Sequence, residues 1–252
     1  MRLTPPLLAG LAAALTFGLA TASFAGPADI AKALADKARP AKALELDQSR
    51  KTAEVLGFAD VKPGQKVADL MPGAGYYTIL FSDLVGPTGK VFAVVPSEFL
   101  KFGPRATDGV AALQPDHHNV VVLTPSANAF ATPDSLDLVW TSWNYHDLHD
   151  SFMGPADVAK VNGAIFKALK PGGAYIIIDH RAAVGSGLRD TESLHRIDIE
   201  SVKTEVEAAG FVLESASQAL ANPKDDHTLN VFKGEVRGHT DTFILKFRKP
   251  KA

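Results

Sequence analysis

The side chains best suited to proton transfer lie together in the segment SWNYHDLHD, residues 142–150. His146 or Asp147 can take a proton from a reacting nucleophile, and histidine is the usual choice near neutral pH. Asn144 and Tyr145 can orient that nucleophile. We therefore assign a catalytic role to His146, Asp147 and Tyr145. The structural alternative is that Tyr145 only packs and that the histidine has no catalytic role.

Two other segments carry polar residues that we expect on the same rim of the fold. Asp179 and His180 end a predicted strand, and His195 lies in the segment that begins the next predicted helix. His180 and His195 are candidate contacts to a substrate. Asp198 or Asp190 can instead cap the helix, which is a routine structural role.

The same residues raise the question of a metal ion, because imidazole and carboxylate groups suit Zn, Mn or Fe. His146 and His149 are three residues apart, a spacing that brings their side chains together only if the loop is helical. The sequence contains no two-histidine-plus-carboxylate motif, so it assigns no metal ligands. The residues that could gather on one rim are His146, Asp147, His149, Asp150, His180 and His195.

A strand, a tight turn and a helix start are predicted in VADLMPGAGYYTIL, residues 67–80. The first turn of an open α/β sheet has this form when it holds a nucleotide-like ligand. Gly73 and Gly75 can take positive φ, and they let a ligand approach the backbone. We expect Asp69, at the end of the strand, to hold the turn. The alternative is that the glycines only reverse the chain.

The rest of the chain predicts an α/β fold in which apolar strands alternate with helices. This order predicts a mostly parallel sheet covered by helices on both faces. The last two strands are joined without a helix, which indicates an antiparallel edge. The strand segments are KVADL, GKVFAVV, NVVVL, SLDLVWTS, AYIIID, FVLESAS and DTFILKF.

Composition excludes several classes of protein. The chain has 252 residues and a formal net charge of −2, with no basic run of the kind that binds nucleic acid. It has no cysteine, so disulfides and thiolate metal sites are excluded. This length allows one domain with a full core.

The N-terminus is typical of a secretory signal peptide, residues 1–25, with cleavage after Ala25. Arg2 provides the positive start, an apolar run follows, and small residues precede the cleavage site. The alternative is an uncleaved membrane anchor. We expect residues 26–55 to form an N-terminal helical extension that is broken at Pro40. Residues 56–252 are expected to form the main domain. We expect the protein to be periplasmic or secreted, with no membrane attachment once the signal peptide is cleaved.

The order of these strands, turns and helices along the chain resembles that of the class I S-adenosylmethionine-dependent methyltransferases over roughly residues 50–248. The resemblance rests on the glycine turn, Asp137 opening the fourth strand, LKPGG before the fifth strand and EAAGF before the last two. MPGAGYYT, NYHD, DH and LHRID resemble secreted bacterial predicted methyltransferases. The resemblance implies a Rossmann-like seven-stranded sheet, with S-adenosyl-L-methionine at the carboxyl ends of strands one to four.

The resemblance also implies which residues bind the cofactor: Asp69, Gly73, Ala74, Gly75, Glu98, Ser126 and Asn144. Three positions depart from the family pattern. Met71 occupies the place of the first glycine, and Val95 the place of the carboxylate that binds the ribose hydroxyls, so that Glu98 is the nearest acid. The loop TPSANAF has no acid for the adenine amino group, where Ser126 or Asn128 can accept a hydrogen bond.

The leading hypothesis is a methyltransferase that uses S-adenosylmethionine and acts on an unidentified small molecule. The alternative is an exported binding or accessory protein that keeps the methyltransferase fold and has lost cofactor use, since fold does not imply function. A metal-dependent enzyme on the rim histidines is a third hypothesis. The sequence predicts neither the methyl acceptor nor the oligomeric state.

Overall fold

The computed structural model describes residues 26–154 and 156–251. The predicted signal peptide, residues 1–25, lies outside the described residues. Within those residues, no helix is both long enough and apolar enough to cross a membrane.

Seven strands form one sheet in the order β3-β2-β1-β4-β5-β7-β6. Strands β1 to β5 run parallel to one another, and β7 runs antiparallel to both β5 and β6. This confirms the predicted Rossmann-like α/β fold with its antiparallel edge. The strands are β1 Lys66–Leu70, β2 Lys90–Val94, β3 Val120–Leu123, β4 Leu136–Ser142, β5 Leu169–His180, β6 Val212–Ser217 and β7 Thr242–Arg248.

Helices cover both faces of the sheet. They are α1 Pro27–Leu34, α2 Ala41–Leu44, α3 Thr52–Ala59, α4 Tyr76–Val85, α5 Arg105–Ala111, α6 Val158–Ala168, α7 Thr191–Leu194 and α8 Ile199–Ala208. The predicted helix after β5 is interrupted at His195, which has a left-handed backbone (φ 53°). Asp198 then caps α8, because its side chain accepts a hydrogen bond from the Glu200 N–H. Asp190 makes no such cap and pairs with Arg189.

The N-terminal segment packs into the same core as the sheet. Ile30 and Ala33 of α1 are buried in the apolar cluster that also contains Val55 of α3 and Trp140 of β4. The predicted division between residues 55 and 56 falls within α3, and the division itself stays a prediction.

The two faces of the sheet carry separate apolar clusters, one around Phe81 and Trp140 and the other around Tyr145, Tyr175 and Phe247. Strands buried on both faces are expected for a parallel sheet. The loops after β1, β2, β4 and β5 therefore emerge at one edge of the sheet. In an open α/β sheet this carboxyl edge is where ligands bind.

Candidate active site

The turn after β1 has the backbone that a glycine turn requires, although its first position is methionine. Met71, Gly73 and Gly75 all have positive φ, at 57°, 56° and 83°. Asn144 stabilises the turn from the β4 side, because its side-chain amide donates to the carbonyl oxygens of Met71 (3.0 Å) and Ser142 (2.7 Å). The departure at Met71 therefore leaves the shape of the turn intact.

Asp69 connects the end of β1 to the helix that follows the turn. Its Oδ2 accepts a hydrogen bond of 2.7 Å from the hydroxyl of Thr78 in α4. The carboxyl group is buried, and this burial raises its pKa to about 7, against the lowering effect of the Thr78 bond.

The two glycines of the turn have different surroundings. A Cβ added at Gly73 would meet no atom within 4 Å, whereas one added at Gly75 would lie 2.6 Å from Cδ1 of Leu113 and 3.2 Å from Cγ1 of Val110. Gly73 thus exposes bare backbone to open space. Gly75 permits close packing of the turn against the residues that follow β2.

Two adjoining cavities open beside this turn. The first, about 670 Å³, runs from Pro72 and Gly73 past Val95 to Asn144 and Asp147. The second, about 480 Å³, includes Asp69, Ala74 and Gly75. Residues that line both are Met71, Pro72, Gly73, Trp143, Asn144, His146 and Phe232. The structure therefore brings the predicted turn and the predicted proton-transfer loop to one space.

An aromatic group forms the far wall of the first cavity. The ring of Phe99 lies 6.1 Å from that of Phe102 and 5.4 Å from that of Phe152, and the last two are 5.6 Å apart. All three rings line the cavity next to Val95. Such a wall suits a flat, apolar ring system.

Glu98 and Ser126 lie near each other and line neither cavity. Oε1 of Glu98 accepts from the Ser126 hydroxyl at 2.8 Å, and both carboxylate oxygens lie within 3.1 Å of the Ala127 amide nitrogen. Glu98 thus ties the loop after β2 to the loop after β3. Contacts of Glu98 and Ser126 with a cofactor stay predictions.

Tyr145 occupies the core beneath the loop and lines neither cavity. The residue is fully buried; its hydroxyl donates to Glu205 (2.9 Å) and accepts from the Asn162 side chain (2.8 Å). Burial holds the pKa of this phenol well above its usual value. This environment favours the structural alternative for Tyr145.

His146 is held rigidly by Asp179 at the end of β5. Its Nδ1 lies 2.8 Å from Oδ1 of Asp179, and its backbone N–H donates to Oδ2 of the same carboxylate at 2.8 Å. The free ring nitrogen, Nε2, points to Oδ1 of Asp147 and to Nδ1 of His195, each 3.3 Å away. The loops after β4 and β5 therefore come together at the same rim of the sheet, as expected.

The charges in this group are strongly coupled. Burial lowers the pKa of His146, but the carboxylates of Asp179 and Asp147 outweigh it and raise the pKa to about 9. Burial raises the pKa of Asp147 to about 7, despite the nearby imidazole. The pKa of Asp179 is lowered, since the effect of His146 exceeds that of burial. At neutral pH His146 is a cation between carboxylates.

His180 contributes to the second cavity as a neutral base. Burial lowers its pKa to about 3, and its Nδ1 lies 2.7 Å from the Thr240 hydroxyl. Its side chain also reaches a third cavity of about 490 Å³, which is bounded by Asn222 and His239. Phe232, 61% exposed, lines all three cavities.

The sequence reasoning missed Arg50 and Trp143. The guanidinium carbon of Arg50 lies 4.2 Å from the ring centre of Tyr76 and 4.5 Å from that of Trp143. Burial lowers the pKa of Arg50, yet the residue still lines two cavities. No motif could have indicated this cation, because it comes from the segment before α3.

Comparison with known proteins identifies the family. Residues 25–195 match the sequence model of the ubiE/COQ5 methyltransferase family. The chain belongs to this family. It is also 27% identical over 194 residues to the ubiquinone/menaquinone biosynthesis C-methyltransferase UbiE of Escherichia coli strain K12 / DH10B. That match covers 76% of this chain and 66% of the relative, so the chain spans just under two thirds of its length.

Solved structures show the same fold. A SAM-dependent methyltransferase from Aquifex aeolicus superposes with a TM-score of 0.57 at 21% identity, covering 89% of this chain and 98% of that one. The [4+2]-cyclase SpnF superposes with a TM-score of 0.58 at 18% identity, covering 81% of each chain. The predicted family resemblance is confirmed, with S-adenosylmethionine as the family's cofactor. The cyclase shows that the fold alone does not fix the reaction.

Proposed function

We propose that this protein transfers a methyl group from S-adenosylmethionine to a small-molecule acceptor at the carboxyl edge of β1 and β4. The observation that carries the proposal is the shared space between the Met71–Gly75 turn and the His146–Asp147 loop. The turn proposed to bind the cofactor is thus adjacent to side chains that can accept a proton, and this proximity favours methyl transfer.

The residues present fit the cofactor in two respects. Gly73 exposes backbone to both cavities, with open space where a side chain would otherwise lie. The Phe99, Phe102 and Phe152 rings provide an apolar wall suited to a purine. When bound, S-adenosylmethionine supplies an electrophilic methyl group.

The protein's contribution at the acceptor is to position it and to receive its proton. Asp147 is the group that we assign to this step, because its carboxylate lines the cavity and its side chain is 12% exposed, against 3% for His146. His146, fixed by Asp179, holds the Asp147 carboxylate in place. Geometry of this kind typically contributes about 10²–10⁴-fold to the rate.

The class of acceptor with most support is a phenolic or enolic ring compound. The curated relative is named a C-methyltransferase of quinone biosynthesis, and ring carbons become nucleophilic when an adjacent hydroxyl loses its proton. Trp143 and Phe232, which line both cavities and are not part of the Phe99 wall, provide aromatic surface for such a ring. Arg50, between Tyr76 and Trp143, provides a cation for an anionic oxygen.

A second candidate is the binding or accessory protein without cofactor use. It is favoured by the cavity wall at Val95, which offers no acceptor for ribose hydroxyls, and by the engagement of Glu98 with Ser126. Titration calorimetry with S-adenosylmethionine and S-adenosylhomocysteine decides between the two. Micromolar binding of both, followed by methyl transfer in a screen of phenols, supports the enzyme. Absence of binding to either refutes it in favour of the accessory protein.

We also propose that the protein is exported and that residues 1–25 are removed. Arg2, the apolar run and the small residues before Gly26 support this. Mass spectrometry of the protein from an envelope fraction should show a chain that starts at Gly26. A chain that retains residues 1–25 in that fraction would contradict the proposal.

A further inference from the structure

We propose that His146, Asp147, Asp150 and His195 form a binding site for one divalent transition-metal ion, with Zn²⁺ as the best match. These four residues belong to the loop after β4 and the break between α7 and α8. The sequence contains no metal motif for them, because the two histidines are 49 residues apart. The fold brings them together.

The ligand atoms have the spacing of a coordination shell. One atom from each residue can be chosen so that all four lie within 4.8 Å of one another. Nε2 of His146 is 3.3 Å from Oδ1 of Asp147, and Nδ1 of His195 is 3.9 Å from Oδ2 of Asp150. Bonds of about 2.0–2.1 Å to a tetrahedral Zn²⁺ place ligand atoms roughly 3.3 Å apart. Small side-chain shifts would therefore complete the site.

Asp150 supplies the second, independent observation. Its side chain is 1% exposed, and neither carboxylate oxygen has a hydrogen-bond partner. Burial raises the pKa of Asp150 and outweighs the weak lowering effect of the neighbouring Thr191 hydroxyl, which donates to the carbonyl oxygen of Leu188. A buried carboxylate with so little hydrogen bonding is costly, and a cation between it and the facing imidazole removes that cost.

The surroundings of His146 are those of a metal-ligating histidine. Its Nδ1 is paired with the buried Asp179 carboxylate at 2.8 Å. This pairing keeps the proton on Nδ1, so that Nε2 offers its lone pair to a metal ion that displaces the Nε2 proton; carboxylate–histidine–metal arrangements use the same pairing. Asp179 also accepts from the His180 N–H, so its own oxygens are satisfied within the protein.

Charge and backbone strain point in the same direction. A divalent ion would neutralise Asp147 and Asp150, while Asp179 remains paired with the N–H of His146. His195 adopts a left-handed backbone at φ 53°, a conformation that costs a non-glycine residue about 1–2 kcal/mol. That conformation aims its ring at the group of ligands.

The ion would be accessible from the first cavity, since His146, Asp147 and His195 all line it. One consequence rests on the proposed function: an oxygen of the methyl acceptor could approach from this cavity as a fifth ligand, since zinc sites can expand to five-coordinate. In the metal-bound enzyme, Asp147 would then act on the acceptor through the ion. A loss of turnover cannot distinguish Asp147 as a proton acceptor from Asp147 as a metal ligand. A measurement of the bound metal can distinguish them.

The test measures metal directly on protein that carries no histidine tag. After EDTA treatment and desalting, the protein is titrated with ZnCl₂ in a calorimeter and its zinc content is measured after a second desalting. We expect one equivalent retained with a Kd below about 1 μM. Asp150→Asn should reduce retained zinc to less than about 0.2 equivalents, and His149→Gln, in the same loop, should retain one equivalent.

The competing location is the group Asp36, Asp83 and His117, whose side chains could also hold an ion. If His117→Gln removes the zinc and Asp150→Asn does not, the proposal is wrong. It is also wrong if the wild-type protein retains less than about 0.2 equivalents of zinc, or if folded Asp150→Asn binds zinc as the wild type does. If Asp150→Asn fails to fold, His195→Gln replaces it. None of these measurements requires S-adenosylmethionine, so this proposal and the proposed function can fail separately.

Discussion

Alanine substitutions at Gly73 and Gly75 should affect different properties, although the two glycines are only two residues apart. Gly73→Ala should mainly weaken ligand binding, and Gly75→Ala should mainly lower the stability of the fold. Both have positive φ, so alanine at either position costs about 1–2 kcal/mol of folding free energy. At Gly75 the new Cβ also lies 2.6 Å from Leu113 and 3.2 Å from Val110. Overpacking of this kind costs a further 1–3 kcal/mol, approximately. At Gly73 the new Cβ meets nothing within 4 Å and takes space in the cavities.

We therefore expect Gly73→Ala to lose about 1–2 kcal/mol of stability and Gly75→Ala about 2–5 kcal/mol. Urea unfolding measures this difference. Calorimetry with S-adenosylhomocysteine on the folded variants should show at least a tenfold loss of affinity for Gly73→Ala, equivalent to about 1.4 kcal/mol. Gly163→Ala serves as a control within α6, where the added Cβ also meets nothing within 4 Å.

The reasoning is refuted if Gly73→Ala binds S-adenosylhomocysteine with wild-type affinity. The turn would then serve only to reverse the chain. Equal destabilisation by the two substitutions would show that the contacts of Gly75 with Leu113 and Val110 are relieved without cost.

Three further predictions concern proton transfer, pH dependence and stability. Asp147→Asn should lower turnover of an identified acceptor by about 10²–10⁴-fold, while His149→Gln leaves it within about twofold; an unchanged rate in Asp147→Asn refutes the assignment. Asp69 has its pKa raised from 3.8 to about 7 in the folded state, so folded protein holds a proton that unfolded chain releases. Its contribution to stability is therefore lost as pH rises from about 4 to 7, by roughly 4 kcal/mol at most. Asp69→Asn should be more stable than wild type at pH 8 and equal to it at pH 4, in urea unfolding at both pH values. Arg196 forms a fully buried ion pair with Asp225 at 2.9 Å, and Arg196→Met should cost about 3–5 kcal/mol; a loss below 1 kcal/mol would contradict this.

The sequence predicted the fold well because each strand carries its own signal. Segments such as KVFAV and the strand around Ile176 are apolar on both faces and end in turn residues, which is enough to predict a parallel sheet. The turn at Gly73 and Gly75 was predictable for the same reason, since strand, turn and helix start are adjacent in the chain.

The contacts of the site were less predictable because they depend on backbone directions after the strands end. Trp143 has a left-handed backbone (φ 57°), which breaks the alternation of β4 and directs Tyr145 into the core. Glu98 pairs with Ser126, 28 residues away, once the loops after β2 and β3 meet. The unpartnered state of the Asp150 carboxylate is likewise a property of the assembled loops.

The position of Phe232 has a consequence for how this enzyme can diverge from its relatives. The match to the family model ends at residue 195, yet Phe232 reaches all three cavities from the segment before β7. The turn that we propose for the cofactor thus lies in the shared part of the chain, and Phe232, which the proposed function places beside the acceptor, lies beyond it. Under that proposal, substitutions around residue 232 would change which acceptor is admitted and leave the β1 turn as it is.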